Sequence, residues 1–567
     1  MITAMRASWL AAALCFAAAW PAYADINDPA SDAEVVGEQV QRDLQPPPGP
    51  LPEEPVIEQP PAHAPPSEAP AATFRLTEVS LEGSTVLPRS HFDPIIQPYL
   101  NREVSPRELE TLAQAIQQAY RAKGYITTVV YVPPQKILGG RVTLQVLEGR
   151  MGKLAVEGNR HFSAGLFDWY WPLDAGAPLQ YGAMRQALIR MNAHPDRKVQ
   201  ALLRAGTAPG ETDVTLKVQD RPPLHLTSFL DRGGTPSIGQ YRFGLAGAHY
   251  NLLGRDDRLT VGMVFGDNFG VPYVLYQIPV TPRGTVAGFR YSHSQVSPHR
   301  QFNQFGILGR SDTYGLSLTQ PFIEQGRMMW DGRLGFDIKE NQTKISSGGS
   351  GRRDRLRVLR MGSAWQRQDP WGRWLADVEG SWGVNGLGAS SVNNPTASRS
   401  GTRPDFAKVE WKLTRAQQMP WRTRLVASAD SQLASSKLSP SEQLYLGGQD
   451  SVRGYPEGDY LADSGLILRG EYLVPVRIMP EAWRIPGLQG PLHEHLDVLA
   501  FADRGYGRLR AITGEERADR NLAGVGMGLQ FRMPQATARI ELGFAVGDKA
   551  LTDDSSRMVH LSLHSSF

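Results

Sequence analysis

The residues best placed to do specific chemistry lie in one stretch, Leu446-Gly447-Gly448-Gln449-Asp450-Ser451-Val452-Arg453-Gly454-Tyr455. It sits in a connection of roughly 433–462 between two segments that read as strands. Its glycines allow backbone angles that other residues resist, so the connection can double back with one arginine at its fold. A loop this long in a compact protein is usually functional or disordered. Other candidates are weaker. His493-Glu494-His495 is the nearest approach to a metal cluster, but it reads as a turn with no third ligand nearby, so no metal is expected. Arg469 and Glu471 share one strand face and read as the lining of a polar channel rather than an acid–base couple. The basic run Arg352-Arg353-Asp354-Arg355-Leu356-Arg357 borders a long loop and suits water or surface phosphates better than nucleic acid. There is no Walker loop, H-E-x-x-H or G-x-S-x-G elbow, so neither catalysis nor a cofactor is expected.

Composition narrows where these residues must work. Residues 1–24 read as a secretory signal: Arg6 is the positive start, Leu10 to Trp20 the apolar core, and Ala22-Tyr23-Ala24 the cleavage site. The one cysteine, Cys15, lies inside it, which excludes disulfides, zinc-thiolate sites and cysteine nucleophiles from a mature chain. A net charge of +3 argues against nucleic acid as the main partner. Beyond the signal no run of eighteen apolar residues appears, so no membrane helix is expected. A soluble exported protein or a membrane β-barrel remains, because only helices and closed barrels satisfy their backbone in lipid.

The elements that must carry the loop follow in order. Ser31 to Leu44 reads as a short helix with capping-box spacing at Ser31 and Glu34 and a stripe of Val36, Val40 and Leu44. Prolines then dominate from Gln45 to Ala72, an extended semi-rigid linker. Two similar units of order βααββ come next. In the first, a strand over Phe74–Gly83 precedes a short helical stretch and a longer helix opened by Ser105, Pro106 and Glu108. That helix buries Leu109, Leu112, Ala113, Ile116 and Tyr120 and ends at Gly124, before strands at Ile126–Val132 and Arg141–Leu147. The second repeats the order. Val156-Glu157-Gly158-Asn159 echoes Leu81-Glu82-Gly83-Ser84, and His161-Phe162 echoes His91-Phe92.

From Leu224 to Phe567 the hydrophobic period is two. Leu259, Val261, Met263 and Phe265 alternate with Arg258, Thr260 and Gly262; Ile540, Leu542, Phe544 and Val546 alternate with Arg539, Glu541, Gly543 and Ala545. Short connections such as Thr281-Pro282-Arg283, Asp369-Pro370-Trp371 and Met533-Pro534-Gln535 alternate with long ones near 297–310, 342–354, 385–403, 433–462, 505–520 and 548–556. That pattern predicts a transmembrane β-barrel of about sixteen antiparallel strands. Trp371, Trp374, Trp411 and Trp421 near strand ends suit interfacial girdles.

In this order the elements resemble the outer-membrane transporters of two-partner secretion (TpsB), which share a superfamily with the BamA assembly factors. Val452-Arg453-Gly454-Tyr455 is similar to the superfamily's VRG(F/Y) loop motif, and Phe501-Ala502-Asp503 to the F-x-D motif of a later barrel strand. Phe567 resembles the terminal aromatic that marks substrates of the barrel-assembly machinery. The resemblance implies a signal peptide (1–24), a plug helix (25–45), a Pro-rich linker (46–72), two α+β POTRA domains (73–149 and 150–221) and an outer-membrane barrel (222–567). It implies that the loop folds into the lumen and that Arg453 pairs with Asp503 on the inner wall. The expected work is export of a large partner exoprotein from periplasm to exterior, captured by the POTRA domains without nucleotide hydrolysis. Outer-membrane lipid, lipopolysaccharide and the barrel-assembly machinery are the other expected partners. A BamA-type assembly factor is the alternative; it would usually carry more POTRA domains and lack the helix-and-linker prefix. One strand resists the pattern: Val498 and Ala500 are apolar, yet so are Leu499 and Phe501 on the face shared with Asp503.

Overall fold

The computed structural model describes Val36, Gln39, Val40, residues 55–58 and residues 73–567, apart from 236, 299–306, 347–350, 393, 477–479, 486, 487, 489, 511–517 and 553–554. The expected signal peptide and most of the expected helix and linker lie outside the described residues. The chain divides into two compact units, one of Pro52–Pro223 with Pro282–Gly284 and one of the remaining residues.

The smaller unit holds the repeat. It comprises β1 (Ile57–Glu58), β2 (Phe74–Arg75), β3 (Glu78–Glu82), α1 (Asp93–Ile96), β4 (Glu103–Val104), α2 (Pro106–Ala122), β5 (Val129–Tyr131), β6 (Arg141–Leu147), β7 (Arg150–Glu157), α3 (Ala164–Tyr170), α4 (Tyr181–Asn192), β8 (Arg197–Ala205) and β9 (Glu211–Asp220). The two sheets have matching orders, β3-β6-β5 and β7-β9-β8. The expected first strand is split: Phe74–Arg75 pairs with β4, and Glu78–Glu82 pairs with β6. The split lets Leu76 and Val79, which strict alternation would place on opposite faces, both reach the core.

Helix α2 forms as the sequence dictates. The Ser105 side chain accepts from the Glu108 N–H, the Glu108 carboxylate accepts from the Ser105 N–H, and the expected five residues are buried. The echoed Gly83 and Gly158 do the same job twice. A Cβ on either would stand 2.3 or 2.4 Å from the carbonyl oxygen of Val146 or Val218 on the neighbouring strand, and both have φ near +85°. Glu148 is buried at the end of β6. Its carboxylate accepts from the Thr85 and Val86 N–H groups (2.7 and 2.8 Å), the Thr85 hydroxyl and the Tyr120 hydroxyl (3.1 Å). Within the proline-rich prefix, β1 lies parallel on the edge of β8, pairing Ile57 with Ala201.

The larger unit is a closed barrel with a hairpin inserted in one connection. Its strands are β10 (Leu224–Asp231), β11 (Arg242–His249), β12 (Arg258–Phe265), β13 (Phe269–Pro279), β14 (Val286–Val296), β15 (Ile307–Gln325), β16 (Met328–Ile345), β17 (Arg352–Asp369), β18 (Gly372–Gly383), β19 (Ala407–Gln418) and β20 (Arg424–Ala434). After the inserted β21 (Leu444–Leu446) and β22 (Tyr460–Ala462) come β23 (Ser464–Pro475), β24 (Leu496–Arg508), β25 (Asp519–Arg532), β26 (Ala536–Ala545) and β27 (Arg557–Ser566). Without the inserted pair, sixteen antiparallel strands close when β27 pairs with β10, Ser566 opposite Thr227. Phe567 continues that seam, its N–H donating to the Leu226 carbonyl at 2.9 Å. Lipid-side positions carry the apolar set, with Val261, Met263 and Phe265 exposed on β12 and Ile540, Leu542 and Phe544 on β26.

Two loop expectations need correction. Most of 342–354 is strand, because β16 runs to Ile345 and β17 starts at Arg352. The connection 476–495, on the side of the short turns, is long. Among its described residues, Leu492–Glu494 form a 3₁₀ turn. Val36 and Val40 are buried in the barrel unit against Ile238, Ala246, Val264, Phe269, Val271, Tyr273 and Val296.

Candidate functional site

The connection between β20 and β23 folds back on itself. β21 and β22 pair antiparallel, Leu444 with Ala462 and Leu446 with Tyr460, which makes a two-stranded finger of its arms. Leu446, Val452, Tyr455, Tyr460 and Ala462 are buried together with Ile467, Leu509, Leu522 and Ala550. This burial sets the connection apart from an exposed surface hairpin. Apolar loop residues of this size would stay wet on an exposed hairpin; here they leave water against the wall.

Arg453 is the centre of the contact and is 1% exposed. Its Nε and Nη2 donate to the two oxygens of Asp503 at 2.7 and 2.8 Å, and its own backbone N–H donates to Asp503 Oδ2 at 3.1 Å. Nη1 donates to Glu471 at 2.8 Å and Glu541 at 3.1 Å. The guanidinium lies 3.7 Å above the centre of the Phe501 ring. Arg539 bridges Glu471 and Glu541 at 2.6 Å each, so three carboxylates share two guanidinium groups. A planar fork on a carboxylate is the strong form of this contact. Because the site is buried, removing one partner leaves an uncompensated charge, and about 3–5 kcal/mol is the relevant scale rather than the 0–1 of an exposed pair.

The wall is shaped to receive the loop backbone. A Cβ on Gly524 of β25 would lie 1.8 Å from the Arg453 carbonyl oxygen, and one on Gly543 of β26 would lie 2.6 Å from the Gly454 nitrogen. Gly454 itself has φ +99°, and its N–H donates to His560 Nε2 on β27 at 3.2 Å. The Tyr455 hydroxyl accepts from the N–H groups of Ala523 (3.4 Å) and Gly547 (3.2 Å).

The structure therefore brings Val452, Arg453, Gly454 and Tyr455 together with Phe501 and Asp503. Phe567 stands apart at the barrel seam. Arg469 and Glu471 share the inner face and both engage the loop: Arg469 donates to the carbonyls of Gln449 (2.9 Å) and Asp450 (3.0 Å). The face of β24 is settled as well. Asp497, Leu499, Phe501 and Asp503 are buried, while Val498 and Ala500 are exposed. In the basic run, Arg353, Arg355 and Arg357 converge on Glu340 at 3.7, 3.6 and 2.6 Å, so their charge is partly spent within the wall. His495 Nδ1 lies 2.8 Å from the Arg532 carbonyl oxygen. Glu541, His560, Gly524 and Gly543 were not singled out from the sequence; the signal available was their position on polar or glycine faces of late strands.

Comparison with known proteins decides the lineage. Residues 210–531 match the family described as haemolysin secretion/activation protein ShlB/FhaC/HecB, and residues 74–149 match the ShlB-type POTRA domain. The chain belongs to the ShlB/FhaC/HecB family. It is thus an outer-membrane β-barrel transporter of two-partner secretion, with its POTRA region in the periplasm. Among its relatives is the outer membrane transporter CdiB of Dickeya dadantii, 26% identical over 432 residues, 73% of this chain and 74% of that one. The heme/hemopexin transporter protein HuxB of Haemophilus influenzae strain KW20 is 21% identical over 390 residues, 67% and 68% of the two chains. The fold is similar to that of CdiB from Escherichia coli, with TM-score 0.71, 20% identity, and coverage of 96% of this chain and all of that one. BamA from Haemophilus ducreyi shares the fold at TM-score 0.54 and 14% identity, over 87% of this chain.

Proposed function

We propose that this transporter exports one large partner exoprotein in extended form, and that the Arg453 loop is the closure of its channel. The observation that carries this reading is the buried Arg453–Asp503 fork inside a closed sixteen-stranded barrel. A barrel of that size encloses a channel wide enough for an extended chain, provided the loop moves. Charged contacts suit a closure because water and a passing polar chain can replace them.

Capture falls to the periplasmic units. A client strand adds to the free edge β5 of the first, where Val129 and Tyr131 are exposed. Support comes from β1, which occupies the matching edge β8 of the second unit as a short parallel strand. The helix containing Val36 and Val40 plugs the resting barrel, and the proline-rich segment is the tether that lets it leave. No step uses nucleotide hydrolysis; folding of the client outside draws it forward. Phe567 is the assembly signal read by the barrel-assembly machinery, and the still exposed parts of Arg353 and Arg355 face lipopolysaccharide phosphates.

The test is co-expression with a large, repeat-rich secreted protein encoded beside this gene. The client should reach the medium or cell surface only when the transporter is present. If instead loss of the transporter depletes many outer-membrane barrels and leaves that client unaffected, the assembly-factor reading replaces this one.

A further inference from the structure

The loop touches the wall at a second place, and there the charges are reversed. Glu442 lies in a 3₁₀ turn, Pro440–Glu442, and is 1% exposed. Its carboxylate meets Lys339 Nζ of β16 at 2.8 Å, Arg360 Nη2 of β17 at 2.9 Å and Lys408 Nζ of β19 at 3.0 Å. Its backbone carbonyl accepts from Lys408 Nζ (3.0 Å) and Gln432 Nε2 (3.1 Å). The preceding Ser441 accepts from Lys339 Nζ through its carbonyl and from Asn341 Nδ2 through its hydroxyl, both at 3.2 Å.

The charged partners of Glu442 lie on β16, β17 and β19, on one flank of β20, whereas those of Arg453 lie on β23, β24 and β26 on the other. One connection therefore sets a carboxylate against three cations, of which Arg360 also pairs with Asp337 and Glu379 of the wall and Lys408 with Glu410, and a guanidinium against three carboxylates on a separate arc. Exchanging the two contacts would set like charges together in a buried place, so the loop has one seating. Breaking the Arg453 fork alone leaves residues 441 and 442 held to the wall.

We propose that Glu442 is a second latch of the lumenal loop, and that the channel clears for a client only when the contact with Lys339, Arg360 and Lys408 is also released. The inference rests on the reading of this loop as the closure. It assigns Glu442 a positioning role distinct from that of Arg453.

Two measurements on the full-length transporter test it. The first is a lock: Asn341→Cys with Ser441→Cys joins two side chains already in hydrogen-bond contact, in a chain whose only other cysteine is Cys15. With the disulfide verified, client secretion should fall roughly tenfold and return on reduction, as a contact that must open predicts. The second is single-channel conductance of Glu442→Gln, Arg453→Ala and the double variant. Two latches in series predict small increases for the single variants and a more than additive increase for the double one. Normal secretion by the oxidised lock, with the double variant no more open than Arg453→Ala, overturns the second latch and leaves the closure reading standing. If Arg453→Ala also leaves conductance and secretion unchanged, the closure reading fails and takes this inference with it.

Discussion

Arg453 and Asp503 meet three times over: two side-chain N–H groups and the backbone N–H of the same arginine all converge on one carboxylate. The contact thus fixes the main chain of the loop tip as well as its side chain. An arginine substitute with one point charge could restore the attraction but not this geometry.

Replacing Arg453 should leave the barrel inserted and cripple secretion. Both Arg453→Ala and Arg453→Lys leave buried Asp503 incompletely compensated, with about 3–5 kcal/mol lost from the closed state for the alanine variant. Heat-modifiable migration on gels should stay normal while secreted client falls. Normal secretion would return the loop to a structural role, and failure to insert would make it an assembly element.

The wall glycines offer a test that touches no charge. Gly524→Ala puts a methyl group 1.8 Å from the Arg453 carbonyl, where neither backbone can yield locally. The loop should lift, and protease cleavage within residues 446–456 should rise to a level like that of Arg453→Ala. Gly247→Ala, at a barrel position where a methyl meets nothing within 4 Å, is the control and should behave as wild type.

The plug reading predicts that removing residues 25–45 raises closed-state conductance. Val40→Asp should do so more gently, since Val40 is fully buried among apolar side chains and a carboxylate there gives up its hydration. Unchanged closed-state conductance in the deletion sinks the plug.

The first periplasmic unit should loosen in acid through Glu148. Burial pushes this carboxyl up, but the Thr85 hydroxyl, the Val86 and Thr85 N–H groups and the Tyr120 hydroxyl outweigh burial and hold it below the ordinary value. With the folded value lowered, the stabilisation is complete above the ordinary carboxylate range and fades as pH falls through the lowered value. Tyr120 is itself pushed up to about 12, chiefly by burial, so its hydroxyl stays protonated and donating throughout. Hydrogen exchange in α2 and β6 of the full-length protein should rise in acid, and Glu148→Gln should flatten that dependence. An unchanged slope in the variant would assign the acid response elsewhere.

What the residues determined by themselves was local. The capping box at Ser105 and Glu108, with apolar residues at helical spacing, specified α2 and its buried face, because each contact lies within a turn or two of chain. Strict alternation specified barrel strands such as β12 and β26, because water or loop on one side and lipid on the other select opposite residue types. The glycines and lone arginine around position 453 marked a loop able to double back. Tertiary structure decided the partners. Glu471 and Glu541 reach Arg453, His560 reaches the Gly454 N–H, and Lys339 reaches Glu442, only because closure of the barrel sets distant strands around one lumen. Closure also explains why β24 defied patterning. Its inner face lies beneath a packed loop rather than open water, so Leu499 and Phe501 can share it with Asp503, and Phe501 can carry the guanidinium of Arg453 on its ring.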